Sequence, residues 1–252
     1  MNSGVGSLFV VSPHLDDAVF GCATLLASPP GATVCTVFAG TPRAPQIQPW
    51  DAAAGFSDSS AAMRARTRED ARALARLGAR AIRLPFLDGQ YGELPSVRTV
   101  ARALLACFEP LDRSSLVVPL GLRHPDHLRV ADAWLALLRT RAVQSCIVYE
   151  DAIHRTVPGI TAARLAQLSA AGLRVTAFDA SWTPQRESTR ALRLKQLAVR
   201  DYGSQLQAFG EDIPADLSEP EHFWRVEWPR YQGASFSPRE RDISDALSAT
   251  LS

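Results

Sequence analysis

The sequence predicts an α/β fold in which a mostly parallel sheet is flanked by helices. Short β-branched or apolar runs alternate with longer Ala-, Leu- and Arg-rich stretches of helical period, which is the pattern of βα units. Two of those runs, SLFVV and LVVPL, each lead into a polar cluster that opens a helix. The 252 residues, 46% hydrophobic and 21% charged, suffice to bury one large core.

In chain order, 7–12 reads as the first strand and 18–27 (AVFGCATLLA) as its helix, followed by a strand at 33–38 (TVCTVF). Residues 41–60, rich in Pro, Ser, Asp and Ala without a period, follow a strand end and form a candidate lid. Its Trp50 and Phe56 either cover a ligand or pin the loop to the body. Helices at 61–77, 96–107, 128–139, 161–171 and 185–200 alternate with strands at 81–84, 116–119, 145–150 and 174–178, and 210–221 is irregular again. With no composition break and no internal repeat, 1–252 reads as a single Rossmann-like domain.

A formal charge of +1 supplies no field for nucleic acid or an anionic membrane surface, so neither is an expected partner. The 27 basic residues include one lysine, Lys195, and the arginine excess reads as a GC-rich genome's habit. Cys22, Cys35, Cys107 and Cys146 form no close pair, which fits reduced thiols rather than a thiolate zinc site or a disulfide framework. The N-terminus lacks a basic n-region and its apolar run is strand-sized, so a cytoplasmic protein without membrane insertion is expected. An oligomer stays open.

Two clusters carry the chemistry. Ser12-Pro13-His14-Leu15-Asp16-Asp17 sits between SLFVV and a helix, where His14 and Asp17, three apart, can bend toward one point and ligate a borderline metal. Asp16 must then point elsewhere, free to act as a general base. The same acids could instead only cap the helix. Gly121-Leu122-Arg123-His124-Pro125-Asp126-His127 repeats this placement after LVVPL, with two histidines across a Pro-fixed turn and Asp126 free to cap or to orient a ring nitrogen. Three of the chain's five histidines lie in these clusters, which favours one shared metal site. Two His and one Asp with an open position is the ligand count of a catalytic zinc and implies metal-assisted hydrolysis.

SPHLDDA followed by GLRHPDH resembles the PIG-L/LmbE family of zinc-dependent de-N-acetylases. The resemblance extends to Arg66-x-x-Glu69 with Ala73 and Leu77-Gly78, to LPFLDG ending at Asp88-Gly89, and to Lys195 through Tyr202-Gly203-Ser204-Gln205. It implies one Zn2+ held by His14, Asp17 and His127, Asp16 as general base, and His124 as support for the oxyanion or donor to the leaving amine. Arg66 and Asp88 match positions that contact substrate hydroxyls. The family's more familiar PHPDDE spelling is changed at Leu15 and Ala18, neither a ligand. The PHLDDA spelling and YEDA at 149–152 resemble members acting on glycosylated secondary metabolites.

The expected substrate is thus a small N-acetylated, sugar-containing conjugate. Two alternatives remain: a zinc amidase of the same fold cutting a thiol conjugate or a non-sugar amide, and a non-catalytic sugar- or nucleotide-binding domain. No GxGxxG or Walker loop follows the first strand, which speaks against the latter. His154, after YEDA, either lines the pocket or, as lone loop histidines more often do, sits at the surface or in packing; His222 reads as structural, Cys22 as a small core residue, the Arg-rich helices as solvated faces, and Trp182, Trp224 and Trp228 as core or interface anchors. Lys195 has no role assigned by this reading.

Overall fold

The structure is a computed structural model that describes residues 7–28, 31–109, 114–178 and 189–229. Its strands are β1 (Leu8–Ser12), β2 (Ala32–Thr36), β3 (Arg80–Arg83), β4 (Ser115–Pro119), β5 (Ser145–Tyr149), β6 (Arg174–Ala177) and β7 (Phe223–Glu227). They form one sheet in the order β3-β2-β1-β4-β5-β7-β6, parallel from β3 through β5, with β7 antiparallel to both neighbours. The single α/β domain expected from the sequence is therefore present.

The helices are α1 (Asp17–Leu26), α2 (Pro49–Ala53), α3 (Ser59–Leu77), α4 (Val97–Phe108), α5 (Pro125–Arg139), α6 (Ile160–Ala170), α7 (Thr189–Arg200) and α8 (Gly203–Ala208). Side chains alternate across a strand, so β1 feeds two cores. Phe9 and Val11 pack with Leu104 of α4 and Trp134 of α5, while Leu8 and Val10 pack with Phe20 of α1, Leu74 of α3 and Ala198 of α7. All five β1 residues are buried because helices cover both faces. All ten residues of α1 are buried as well.

β1 lies between β2 and β4, so the chain leaves it in opposite directions on its two sides. Such a switch point opens a crevice at the carboxyl ends of the strands. The crevice falls where β1 runs into His14 and β4 runs into Gly121.

Three elements differ from the sequence expectation. β7, which overlaps the end of the segment EHFWR, inserts between β5 and β6; its short run holds two polar positions and no clean alternation. The candidate lid contains α2, and α8 follows Tyr202. The expected helix at 185–200 is seen from Thr189, since 185–188 and Trp182 lie outside the described residues. Trp224 and Trp228 pack against the core containing Trp134, as anchors should.

Lys195, buried on α7, pairs with the Glu221 carboxylate at 3.1 Å. Glu221 also accepts from the Thr24 backbone N–H at 3.2 Å and from its hydroxyl. The lone lysine thus ties α7, α1 and the 210–221 segment together. Nearby Cys22 is fully buried, as expected, at a non-helical kink inside α1. Glu69 of α3 accepts from Ser204 N at 2.9 Å, and the Tyr202 hydroxyl donates to Asp70 at 3.1 Å, which fastens the C-terminal helices to α3.

Candidate active site

The turn after β1 serves the start of α1 with a serine and not with either acid. Ser12 Oγ accepts from Ala18 N at 2.9 Å and donates to the His14 carbonyl at 2.6 Å. Asp16 stands at the N-cap position but makes no side-chain capping bond. With Ser12 serving the helix end, the Asp16 carboxylate is left to the cavity, which it lines. Asp17 turns back and accepts from His14 N at 2.7 Å.

After β4 the chain turns through Gly121, at φ +80, where a Cβ would meet the Ala131 Cβ at 2.3 Å. Only glycine allows this approach. The turn presents His124 as the N-cap of α5, with Pro125 in the first turn and His127 one turn on.

His14, Asp17 and His127 offer ligand atoms that all lie within 4.8 Å of one another, a cluster able to hold a metal ion. Each ring is held from behind. His14 Nε2 donates to Asp126 at 2.9 Å, leaving Nδ1 3.1 Å from Asp17 Oδ2. His127 Nδ1 donates to Asp151, leaving Nε2 3.3 Å from the same Asp17 oxygen. That Nε2 is buried and has no hydrogen-bond partner among the described residues. Buried polar atoms are nearly always partnered, so an orphan ring nitrogen facing a carboxylate fits a cation between them. A second set, His14, His124 and Asp126, also meets the distance criterion. Its Asp126 oxygen is already engaged by His14 and by Gly89 N at 2.9 Å, so the first set is the better ligand set. Asp126 therefore orients a ring, one of its two expected roles, and the ring is His14.

Without a cation the cluster holds protons instead. Burial alone would lower the His127 pKa, but Asp17 and Asp151 outweigh it and raise it to about 9. His14 is likewise held well above the ordinary imidazole value by Asp88, Asp126 and Asp17 against its burial. Burial would raise Asp17, yet His127 and His14 keep it well below the usual carboxylate range. Asp16 goes the other way: burial, and then Asp17 beside it, push its carboxyl up to about 7.

His124 Nδ1 accepts from Asp126 N at 3.2 Å. In the neutral ring the proton therefore sits on Nε2, and burial together with His14 lowers the pKa and favours that neutral form. Both expected substrate contacts line the same cavity, of about 440 Å³. Arg66 is buried, unlike the solvated Arg faces expected on its helix; its Nη1 lies 3.6 Å from Asp88, and neither Nε nor Nη1 has a hydrogen-bond partner among the described residues. Trp50 also lines the cavity, fixed by a bond from Nε1 to Gln205 at 3.0 Å and by Phe209 edge-on at 5.2 Å. Asp51 beside it accepts from the Tyr91 hydroxyl at 2.7 Å.

Two residues here were not singled out from the sequence. Asp151 lies at the end of β5 in YEDA and also accepts from Gly121 N at 2.8 Å, so it braces the second cluster twice. Ile153 has φ +62, a conformation that costs a β-branched residue of order 1–3 kcal/mol. His154 takes the pocket-lining one of its two expected places and stands edge-to-face on His127 with ring centroids 4.5 Å apart. His222 keeps a structural role, pairing with Glu150 at 2.8 Å from an exposed position. Among the described residues no helix is long and apolar enough to cross a membrane.

A Rossmann-like sheet with a His–Asp–His cluster at its switch point defines a class: α/β proteins carrying a candidate metal site in the crevice. The chain belongs to the PIG-L family, whose model, described as GlcNAc-PI de-N-acetylase, matches residues 9–138. A deacetylase of teicoplanin biosynthesis, solved as a complex, is 23% identical, with a TM-score of 0.71 over 90% of this chain and 100% of that one. The zinc-inhibited form of teicoplanin deacetylase is 21% identical, with a TM-score of 0.69 over 90% and 100%. The N,N'-diacetylchitobiose deacetylase of Pyrococcus horikoshii is 20% identical, with a TM-score of 0.51 over 83% and 73%. These share the fold. No curated protein matches the chain.

Proposed function

We propose that this protein hydrolyses the N-acetyl amide of an N-acetylglucosamine-type sugar conjugate, with one zinc ion held by His14, Asp17 and His127. The observation that carries the reading is the orphan Nε2 of His127 facing Asp17, in the cavity that Asp16 also lines. A divalent ion bound there supplies Lewis acidity, which polarises an amide carbonyl and acidifies water.

The chain's own residues do the rest. Asp16, free of capping duty and lining the cavity, accepts the proton of the attacking water and returns it to the departing nitrogen. His124, neutral with its proton on Nε2, donates to the developing oxyanion. Asp126 and Asp151 keep His14 and His127 in the tautomers that aim a lone pair inward. Arg66 and Asp88 take sugar hydroxyls, a role suited to an arginine with unused donors beside a carboxylate. The indole of Trp50 walls the cavity from the 41–60 segment, which serves as a rim or lid. Likeness to teicoplanin and chitobiose deacetylases supports a sugar-containing substrate.

The test is free-amine release from a panel of N-acetylglucosamine conjugates by zinc-loaded, chelator-treated and Asp16→Asn protein. Turnover by the loaded protein alone is expected; full turnover by either of the others overturns the scheme.

A further inference from the structure

We propose that the turn from Asp151 to His154 walls the acyl end of the cavity, and that His154 is the side chain that meets the acyl group and limits its length. The inference rests on the deacylase reading above and concerns the half of the amide that reading leaves undefined.

Arg66 is faced by Asp16 and Asp88, and Asp88 lies 4.0 Å from His14. His154 lies instead against the second cluster, with its ring 4.5 Å from His127 and 5.7 Å from His124. An amide bound among these groups has two ends. Its nitrogen belongs next to Asp16, the group that returns the proton, and the sugar on that nitrogen then extends toward Arg66 and Asp88. The carbonyl oxygen belongs next to His124. The acyl carbon chain is left to extend along the wall formed by His127 and His154.

That wall is built with care. Ile153, which also lines the cavity, is held at φ +62, and its backbone N–H donates to Asp216. Arg155, on the far side of His154, is clamped by Asp216 through Nε and Nη2 and by Glu150 at 3.0 Å. Asp216 is itself buried and sits in the segment that contributes Pro214 to the cavity lining. These bonds hold the Ile153 backbone and the Arg155 side chain on either side of one residue, yet no ring nitrogen of His154 is bonded to the protein among the described residues. A side chain braced by its neighbours and unused by them is available to a ligand. Its ring also occupies space that a longer acyl chain would need.

The experiment compares N-acetyl, N-propionyl and N-butyryl glucosamine conjugates as substrates of zinc-loaded wild-type, His154→Ala and His154→Phe protein. For His154→Ala the kcat/KM ratio of butyryl to acetyl is expected to rise by about tenfold or more, in keeping with the discrimination one or two methylenes give in a shaped pocket. For His154→Phe the ratio is expected to fall. Calorimetric binding of acetate against butyrate to the same proteins should shift in the same directions, independently of turnover. A parallel loss for all three substrates in both variants, with an unchanged binding ratio, shows that His154 only supports His127 and overturns the inference. A wild-type protein that releases amine from none of the conjugates removes the deacylase reading, and this inference falls with it. Wild-type turnover with an unaltered ratio in both variants overturns this inference alone.

Discussion

The Asp151 carboxylate accepts from His127 Nδ1 with one oxygen and from Gly121 N with the other. One acid at the end of β5 thus fixes both the ring of a candidate ligand and the turn that delivers it. Asp151→Asn keeps the shape but can offer an N–H to the ring where a carboxylate accepted. Metal affinity should fall about 10- to 100-fold, as for other partners of ligating histidines. Chelator competition against zinc measures this, and unchanged affinity would contradict the orienting role.

Asp16 makes no capping bond and should be dispensable for folding but not for turnover. Asp16→Asn is expected to lower kcat by about 10²- to 10⁴-fold, the range of a general base. Zinc content, read by atomic absorption, should stay at the wild-type level. Lost zinc would instead make Asp16 a ligand.

Protons and metal compete for the cluster. His127 in the metal-free protein holds its proton up to about pH 9, so a cation must displace it at lower pH. Zinc affinity should therefore rise with pH, about tenfold per unit for each proton released, with the His127 share levelling off near 9. Titrations at a series of pH values would reveal a flat profile if the ring were already neutral.

The same groups set how the metal-free protein's stability depends on pH. Asp16 is raised from 3.8 to about 7 and His127 from 6.5 to about 9 on folding, so each favours the protonated folded state. Their contributions are complete below the unfolded values and are lost as pH rises through about 7 and about 9. Asp16→Asn should flatten the decline between about 4 and 7 in thermal melts of the zinc-free protein and leave the later decline.

Lys195 and Glu221 form a buried pair far from the ligands in sequence. Lys195→Met strands a buried carboxylate and should cost about 3–5 kcal/mol in urea unfolding. Zinc affinity should hardly change. Loss of zinc without loss of stability would assign the lysine to the site instead of to the fold.

Much of this was legible beforehand because periodicity and local spacing are properties of neighbouring residues. His14 and Asp17 lie one turn apart after an apolar strand, and His124 and His127 repeat the arrangement, so the two halves of the cluster could be named without coordinates. Arg66 and Asp88 came from resemblance, and both line the cavity. β7 is not legible in the sequence because Glu227 pairs antiparallel with Ser145 and Arg174, 82 and 53 residues away, and its own five residues carry little alternation. The sequence leaves His154 between pocket and surface because nothing near it in the chain reveals that Asp216 braces its neighbours Ile153 and Arg155.

The sequence by itself determined the βα order, the single domain and the two strand-end clusters, since each depends on residues within about one turn or one strand of each other. The tertiary structure alone decided that β1 and β4 lie side by side, which brings His127 within reach of Asp17 across 110 positions of chain. It also decided which buried acid stands behind which ring. A hydrogen bond acts over about 3 Å, and only the packed fold brings groups so far apart in sequence within that distance.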